Sequence, residues 1–168
     1  GDTGSDIIEN SNELNIIWEY IADFIRNGTL NTMFIECSFS DDRDNDLLYG
    51  HLKPNLILYE LNRLRHYVGN NLDDLSVVII HVKPDFTKNS DIFGLIEYEL
   101  NNPINETYQD IGAKFLIPRQ TDIVYVKNGK LSSIQSSMDN ESNTESNSKI
   151  NGMEIFGYIG IGFIGCFV

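Results

Sequence analysis

Apolar residues along the chain follow two different spacings, and the spacing switches several times before residue 130. In NELNIIWEYIADFIRNG, residues 12–28, the apolar positions Leu14, Ile17, Trp18, Ile21, Phe24 and Ile25 have helical spacing. Asn27-Gly28 supplies the stop. LNTMFIECSF, residues 30–39, reads as a short buried strand that leads out at Glu36. The polar run SDDRDNDLLYG reads as a loop. A second helix follows in HLKPNLILYELNRLRHYVGNN, with Pro54 suited to a first helical position and Gly69 to the end. SVVIIHV, residues 76–82, is a second strand by its length and β-branching. SDIFGLIEYELNN predicts a third helix, and AKFLIP and DIVYV predict strands. KNGK, residues 127–130, signals a hairpin turn. Alternating helices and strands imply a layered α/β fold. No internal repeat interrupts this order.

The pattern fades near Ser132. SSIQSSMDNESNTESNSKING is Ser/Asn-rich, poor in apolar residues and expected to be disordered. The expected division is a domain over residues 1–134, a disordered linker over 135–152 and an apolar, Gly-rich tail over 153–168. That tail is shorter than the roughly 20 residues a membrane-spanning helix needs, and it lacks a basic flank. A buried or sticky tail is therefore favoured over a membrane anchor. Cys166 stands third from the end, which excludes a prenylation signal.

The length of 168 residues allows one domain with a real core. The net charge of -13, with 12 basic against 25 acidic residues, argues against a nucleic-acid partner. Two cysteines, Cys37 and Cys166, make no disulfide framework, so a reducing, cytoplasmic setting is expected. The chain opens GDTGSD at Gly1 rather than Met, with no signal or transit sequence ahead. Either a processed start or the back part of a longer chain accounts for this.

Polar residues at the strand ends carry the candidate chemistry. Asp2 lies in a tight turn, Glu36 ends one strand, His81 ends another, and His51 opens the second helix. In an α/β sheet, strand ends are where ligands and chemistry collect. Bland readings compete: a hydrogen-bonded structural His81, a helix-capping Glu36, an Asx-turn at Asp2. The residues alone leave a metal site and an acid/base site both open.

The series GDTGSD, MFIECSF, LYGHLKP, VVIIHVKP and AKFLIPRQ, in this order over residues 1 to about 126, resembles the fungal class II cyclic-nucleotide phosphodiesterases. The resemblance implies a metallo-β-lactamase-like αββα sandwich, of which this chain would be the C-terminal half. It assigns Asp2 to the aspartate that bridges two metal ions and His81 to a terminal metal-binding histidine. Glu36 and His51 resemble an acid–histidine pair that assists the leaving group. Thr3 and Gly4 read as turn-formers. The implied cofactors are two divalent metal ions, Zn²⁺ in this family. The implied reaction is two-metal hydrolysis of a 3′,5′-cyclic nucleotide (cAMP, with cGMP left open) to a 5′-nucleotide.

One departure from the family stands out. The His-x-His-x-Asp-His motif is absent, and the three histidines, His51, His66 and His81, are far apart in sequence. His66 reads as a surface residue. Two dispersed ligands do not close a four-ligand shell. The expectation is a C-terminal part of a phosphodiesterase: a fragment, a split gene or a misread gene. Its expected partners are the cyclic nucleotide, a missing N-terminal half and a second copy of the chain, with no membrane. As an isolated half, it would leave one sheet face uncovered. The rival readings are a non-catalytic or partner-dependent remnant and a tRNA 3′-end endonuclease of the same fold.

Overall fold

The computed structural model describes residues 2–84, 91–109 and 111–136. A short helix α1, Asp6–Glu9, precedes α2, Glu13–Arg26. Strand β1, Thr32–Glu36, runs into a loop with a 3₁₀ turn at Asn45–Leu47. Helix α3, Pro54–Val68, leads to β2, Ser76–Ile80. Helix α4, Ile92–Asn101, leads to β3, Lys114–Leu116. Strands β4, Ile123–Lys127, and β5, Lys130–Gln135, close the order. The helix and strand expectations are met, with Pro54 in the first turn of α3 and Gly69 left-handed just past its end.

Strands β1, β2 and β3 form one parallel sheet in that order. Thr32 pairs with Ser76 through Glu36 with Ile80, and Ser76 pairs with Lys114. Parallel neighbours need crossovers, which α3 and α4 supply. The central strand β2 is buried on both faces, which is why it reads as an unbroken apolar run. Met33, Ile35, Val77 and Ile79 face the helices and join Leu14, Trp18, Ile21, Leu61, Leu64 and Ile96 in the main core. Val78 and Ile80 face the other way and pack with Val124, alongside Phe34, Val126, Leu131 and Ile134. The β4–β5 hairpin thus covers much of the face expected to be open, although Phe34 there stays half-buried.

Within α2, Leu14, Trp18, Ile21 and Ala22 are buried, whereas Ile17 lies 42% exposed, since the apolar stripe of a helix covers only part of its circumference. One expectation needs correction. Ser132–Gln135, placed at the onset of disorder, belong to β5. An antiparallel strand with one wet face needs few apolar residues, and Leu131 and Ile134 suffice. The hairpin turn at Asn128-Gly129 is present, with both residues at positive φ of 52° and 72°. The linker after Ser136 and the apolar tail lie outside the described residues. Among the described residues, no helix is long and apolar enough to cross a membrane.

Candidate active site

Glu36 is the hub of the site. It ends β1 with its side chain wholly buried, so it ends a strand rather than capping a helix. A buried carboxylate needs donors on every side. Its Oε1 accepts from the backbone N–H of Leu52 at 3.0 Å and of Thr3 at 3.4 Å, and meets His51 Nδ1 at 3.1 Å. Its Oε2 accepts from the Ser38 hydroxyl at 2.9 Å. Burial pushes the carboxyl up from its ordinary range, against the opposing pull of Ser38, His51 and the two amides.

Backbone bends place the histidines. Tyr49 and Gly50 are both left-handed, at φ 53° and 78°, and the His51 N–H closes this turn onto the Leu48 carbonyl at 3.2 Å. The reversal drives the His51 ring inward to a buried position beside Glu36. His81 follows β2 at φ 60°, an unusual conformation for a residue with a Cβ. Such outliers persist where surrounding contacts hold them and collect at functional sites. Here the neighbouring backbone is clamped: the Cys37 N–H donates to the Ile80 carbonyl at 3.0 Å, and the Lys83 N–H to the Ser38 carbonyl at 3.1 Å. The two imidazoles stack, with centroids 5.4 Å apart and planes 27° from parallel.

Asp2 completes the cluster. Its Oδ1 lies 3.8 Å from His51 Nε2 while most of its side chain faces solvent. Asp2, His51 and His81 each place one ligand-type atom within 4.8 Å of the others. A carboxylate with two imidazoles suits Zn²⁺ or a similar borderline cation. The glutamate takes His51 Nδ1, which leaves Nε2 for any ligand. Partial burial, then the nearby His51 and Lys83, lower the His81 pKa, which favours the neutral ring that metals bind. Three donors fit part of a metal shell rather than a whole one.

The loop carrying Asp2 is fastened from below. Glu60 on α3 is fully buried and accepts from Ser5 Oγ at 2.6 Å, Asp6 N at 3.0 Å, Trp18 Nε1 at 3.0 Å and Arg63 Nη1 at 3.1 Å. Asp6 in turn accepts from the Leu14 and Asn15 amides at 3.1 and 2.9 Å. These are free N–H groups in the first turn of α2, so Asp6 caps that helix from outside it. Burial opposes its charge, but Ser11, the two amides and Arg63 outweigh burial and hold its pKa below the ordinary value.

All four expected site residues therefore converge: Asp2, Glu36, His51 and His81. His66 is exposed, as expected, on an open depression with Arg65 and Gly69 that shares no residue with the cluster. Sequence reasoning passed over Ser38, Glu60 and Lys83. The last puts its ammonium 2.7 Å from His51 Nε2. It stands two residues past His81 in the quoted HVKP, which is the signal that could have found it. Cys37 is a buried free thiol whose pKa burial pushes well up, so it is not a nucleophile here.

A parallel α/β sheet with two histidines, an aspartate and a buried glutamate gathered at one edge offers a set of donors that could hold a metal ion. Residues 1–121 match the family described as cAMP phosphodiesterases class-II, and the chain belongs to that family. It is 36% identical over 124 residues to a probable 3′,5′-cyclic-nucleotide phosphodiesterase of Yersinia pestis, covering 73% of this chain and 35% of that protein. It is 34% identical over 123 residues to a 3′,5′-cyclic-nucleotide phosphodiesterase of Aliivibrio fischeri, covering 73% and 36%. The crystal structure of unliganded yeast PDE1 superposes with a TM-score of 0.56 at 28% identity, covering 63% of this chain and 29% of that one. The fold is accordingly part of a metallo-β-lactamase-like αββα sandwich. The chain spans about a third of the length of the two bacterial relatives.

Proposed function

We propose that this chain supplies one part of the active site of an enzyme that hydrolyses 3′,5′-cyclic nucleotides to 5′-nucleotides. The observation that carries the reading is the meeting of His51 with buried Glu36 on one side and with Asp2 and His81 on the other. The family and the names of its relatives point the same way.

Asp2 and His81 would hold divalent cations, with Zn²⁺ the best match to their donors. Such ions, when bound, lower the pKa of a water and offset phosphate charge. The remaining chemistry falls to the protein. Hydrolysis breaks the bond between phosphorus and the 3′ oxygen, and that oxygen must gain a proton as it leaves. Glu36 orients His51 through Nδ1, so Nε2 faces the cluster; beside that carboxylate the ring can take up a second proton from water on Nε2 and would hand it to the leaving oxygen. Because the described donors form only part of a metal shell, the other ligands would come from a complementary N-terminal region. The free, buried Cys37 suits a reducing compartment, and we place the protein in the cytoplasm.

The test is an assay of cAMP conversion to 5′-AMP with Zn²⁺, using this chain joined to or co-expressed with a complementary region carrying His-x-His-x-Asp-His. Turnover that vanishes in Asp2→Ala and His81→Ala, with loss of bound metal, supports the reading. Full metal occupancy in His81→Ala returns that residue to a structural role.

A further inference from the structure

One cation at the cluster has no role in the chemistry above. Lys83 is half-buried, pinned through its backbone N–H to the Ser38 carbonyl. Its ammonium lies 5.1 Å from the centroid of the Phe39 ring and 2.7 Å from His51 Nε2. Arginines elsewhere in the structure meet carboxylates: Arg63 meets Asp6 and Glu60, and Arg119 meets Asp91. Among the described residues, no carboxylate comes within ion-pair distance of Lys83 Nζ. Its ammonium is thus held at the cluster by an imidazole and an aromatic ring rather than by an opposite charge.

The acceptor it has found is a weak one. His51 Nδ1 is engaged by Glu36, so Nε2 offers a neutral lone pair to the ammonium. The ammonium already brings its charge to that bond, whereas a phosphoryl oxygen brings the opposite charge to the acceptor side, so the exchange replaces an ion–dipole contact by an ion pair. Lysine also suits this exchange, being a compact point charge on a flexible stem. The residue is anchored at its backbone and its ammonium stands over Phe39, so the head can move between nearby acceptors without the backbone moving.

We infer that Lys83 is a substrate-binding residue: in the free protein its ammonium rests on His51 Nε2, and on binding it transfers to a non-bridging oxygen of the substrate phosphate. The same movement uncovers Nε2 for the 3′ oxygen. Once uncovered, Nε2 takes up a proton from water and passes it to the departing oxygen, so Lys83 couples the arrival of phosphate to the loading of the proton donor. The identity of the ligand as a cyclic phosphate rests on the phosphodiesterase reading, whereas the anion contact rests on the geometry.

The experiment is an NMR titration of the isotope-labelled 168-residue chain with cAMP and, separately, with inorganic phosphate. The readout is the ¹⁵N shift of His51 Nε2. Both ligands should move that signal saturably. Lys83→Gln should weaken the apparent affinity by about tenfold or more, the scale of losing a hydrogen bond to a charged group. Lys83→Arg should retain most of it. Unchanged amide signals of Thr3 and Leu52, which report on Glu36, show that each variant is folded at the site. Equal affinity in Lys83→Gln, or no saturable shift in the parent chain, overturns the inference. Lys83-dependent phosphate binding in a chain whose complemented form never hydrolyses cAMP sinks the phosphodiesterase reading and leaves the anion contact standing.

Discussion

His51 has a neighbour for each ring nitrogen, and the two nitrogens carry different predictions. If Nε2 is a proton donor, His51→Ala in the complemented enzyme should lower kcat by roughly 10²–10⁴ with metal content nearly unchanged. Nε2 is also close enough to Asp2 and His81 to be a ligand. Metal analysis of the purified variant separates the roles, since loss of an ion would make His51 a ligand. Glu36→Gln keeps the shape of the hub but removes its charge. It should lower kcat by about 10–100-fold, as other groups that orient site histidines do, while thermal unfolding shows the fold intact. That Asp2, Glu36, His51 and His81 come together was legible because Glu36 and His81 stand at the ends of apolar strands, His51 shortly ahead of a helix and Asp2 in a tight turn. Lys83 was not, because it looks like any other basic residue until the left-handed turn at His81 brings it back over the site. Glu60 was hidden for the opposite reason: a charged residue inside a helical pattern reads as a solvated face, whereas this one is buried under four donors.

At the scale of elements, the cap on α2 and the turn of the hairpin make separate tests. Asp6→Ala removes the acceptor for two first-turn amides and should cost about 2 kcal/mol at neutral pH by urea unfolding. The folded pKa of Asp6 lies below its unfolded value, near 3.8. Its ionised form therefore contributes stability fully above that pH, and the contribution is lost as pH falls through the folded value. The gap between parent and variant should shrink in that acid range; a constant gap would mean that charge is irrelevant to the cap. In the hairpin, Gly129 has φ 72°, and a Cβ there would meet the Thr29 carbonyl oxygen at 2.7 Å. Gly129→Ala should cost more than about 1 kcal/mol by the same measurement, while Asn128→Gly should be close to neutral. The turn was legible from Asn-Gly. The length of β5 was not, because its Ser-rich stretch has the composition of a loop and gains its order from β4 across the ladder.

For the whole molecule, three converging donors set an expectation for metal. This chain alone should bind Zn²⁺ weakly by calorimetry and show no cAMP turnover above background, and a complementary region should restore both together. Robust turnover by the isolated chain would require ligands beyond Asp2, His51 and His81. The convergence on Glu36 reaches further than chemistry. One carboxylate joins three stretches of chain that are remote in sequence: the N-terminal turn at Thr3, the end of β1 and the approach to α3 at Leu52. Their amides are thus clocks for local opening. Leu52, bonded at 3.0 Å and backed by the α3 core, should exchange its hydrogen for deuterium only through deep, near-global unfolding. Thr3, bonded at 3.4 Å, should exchange sooner, as its turn peels away with Asp2. The difference between those two rates measures how often the rim of the site disassembles while the rest of the protein stays folded.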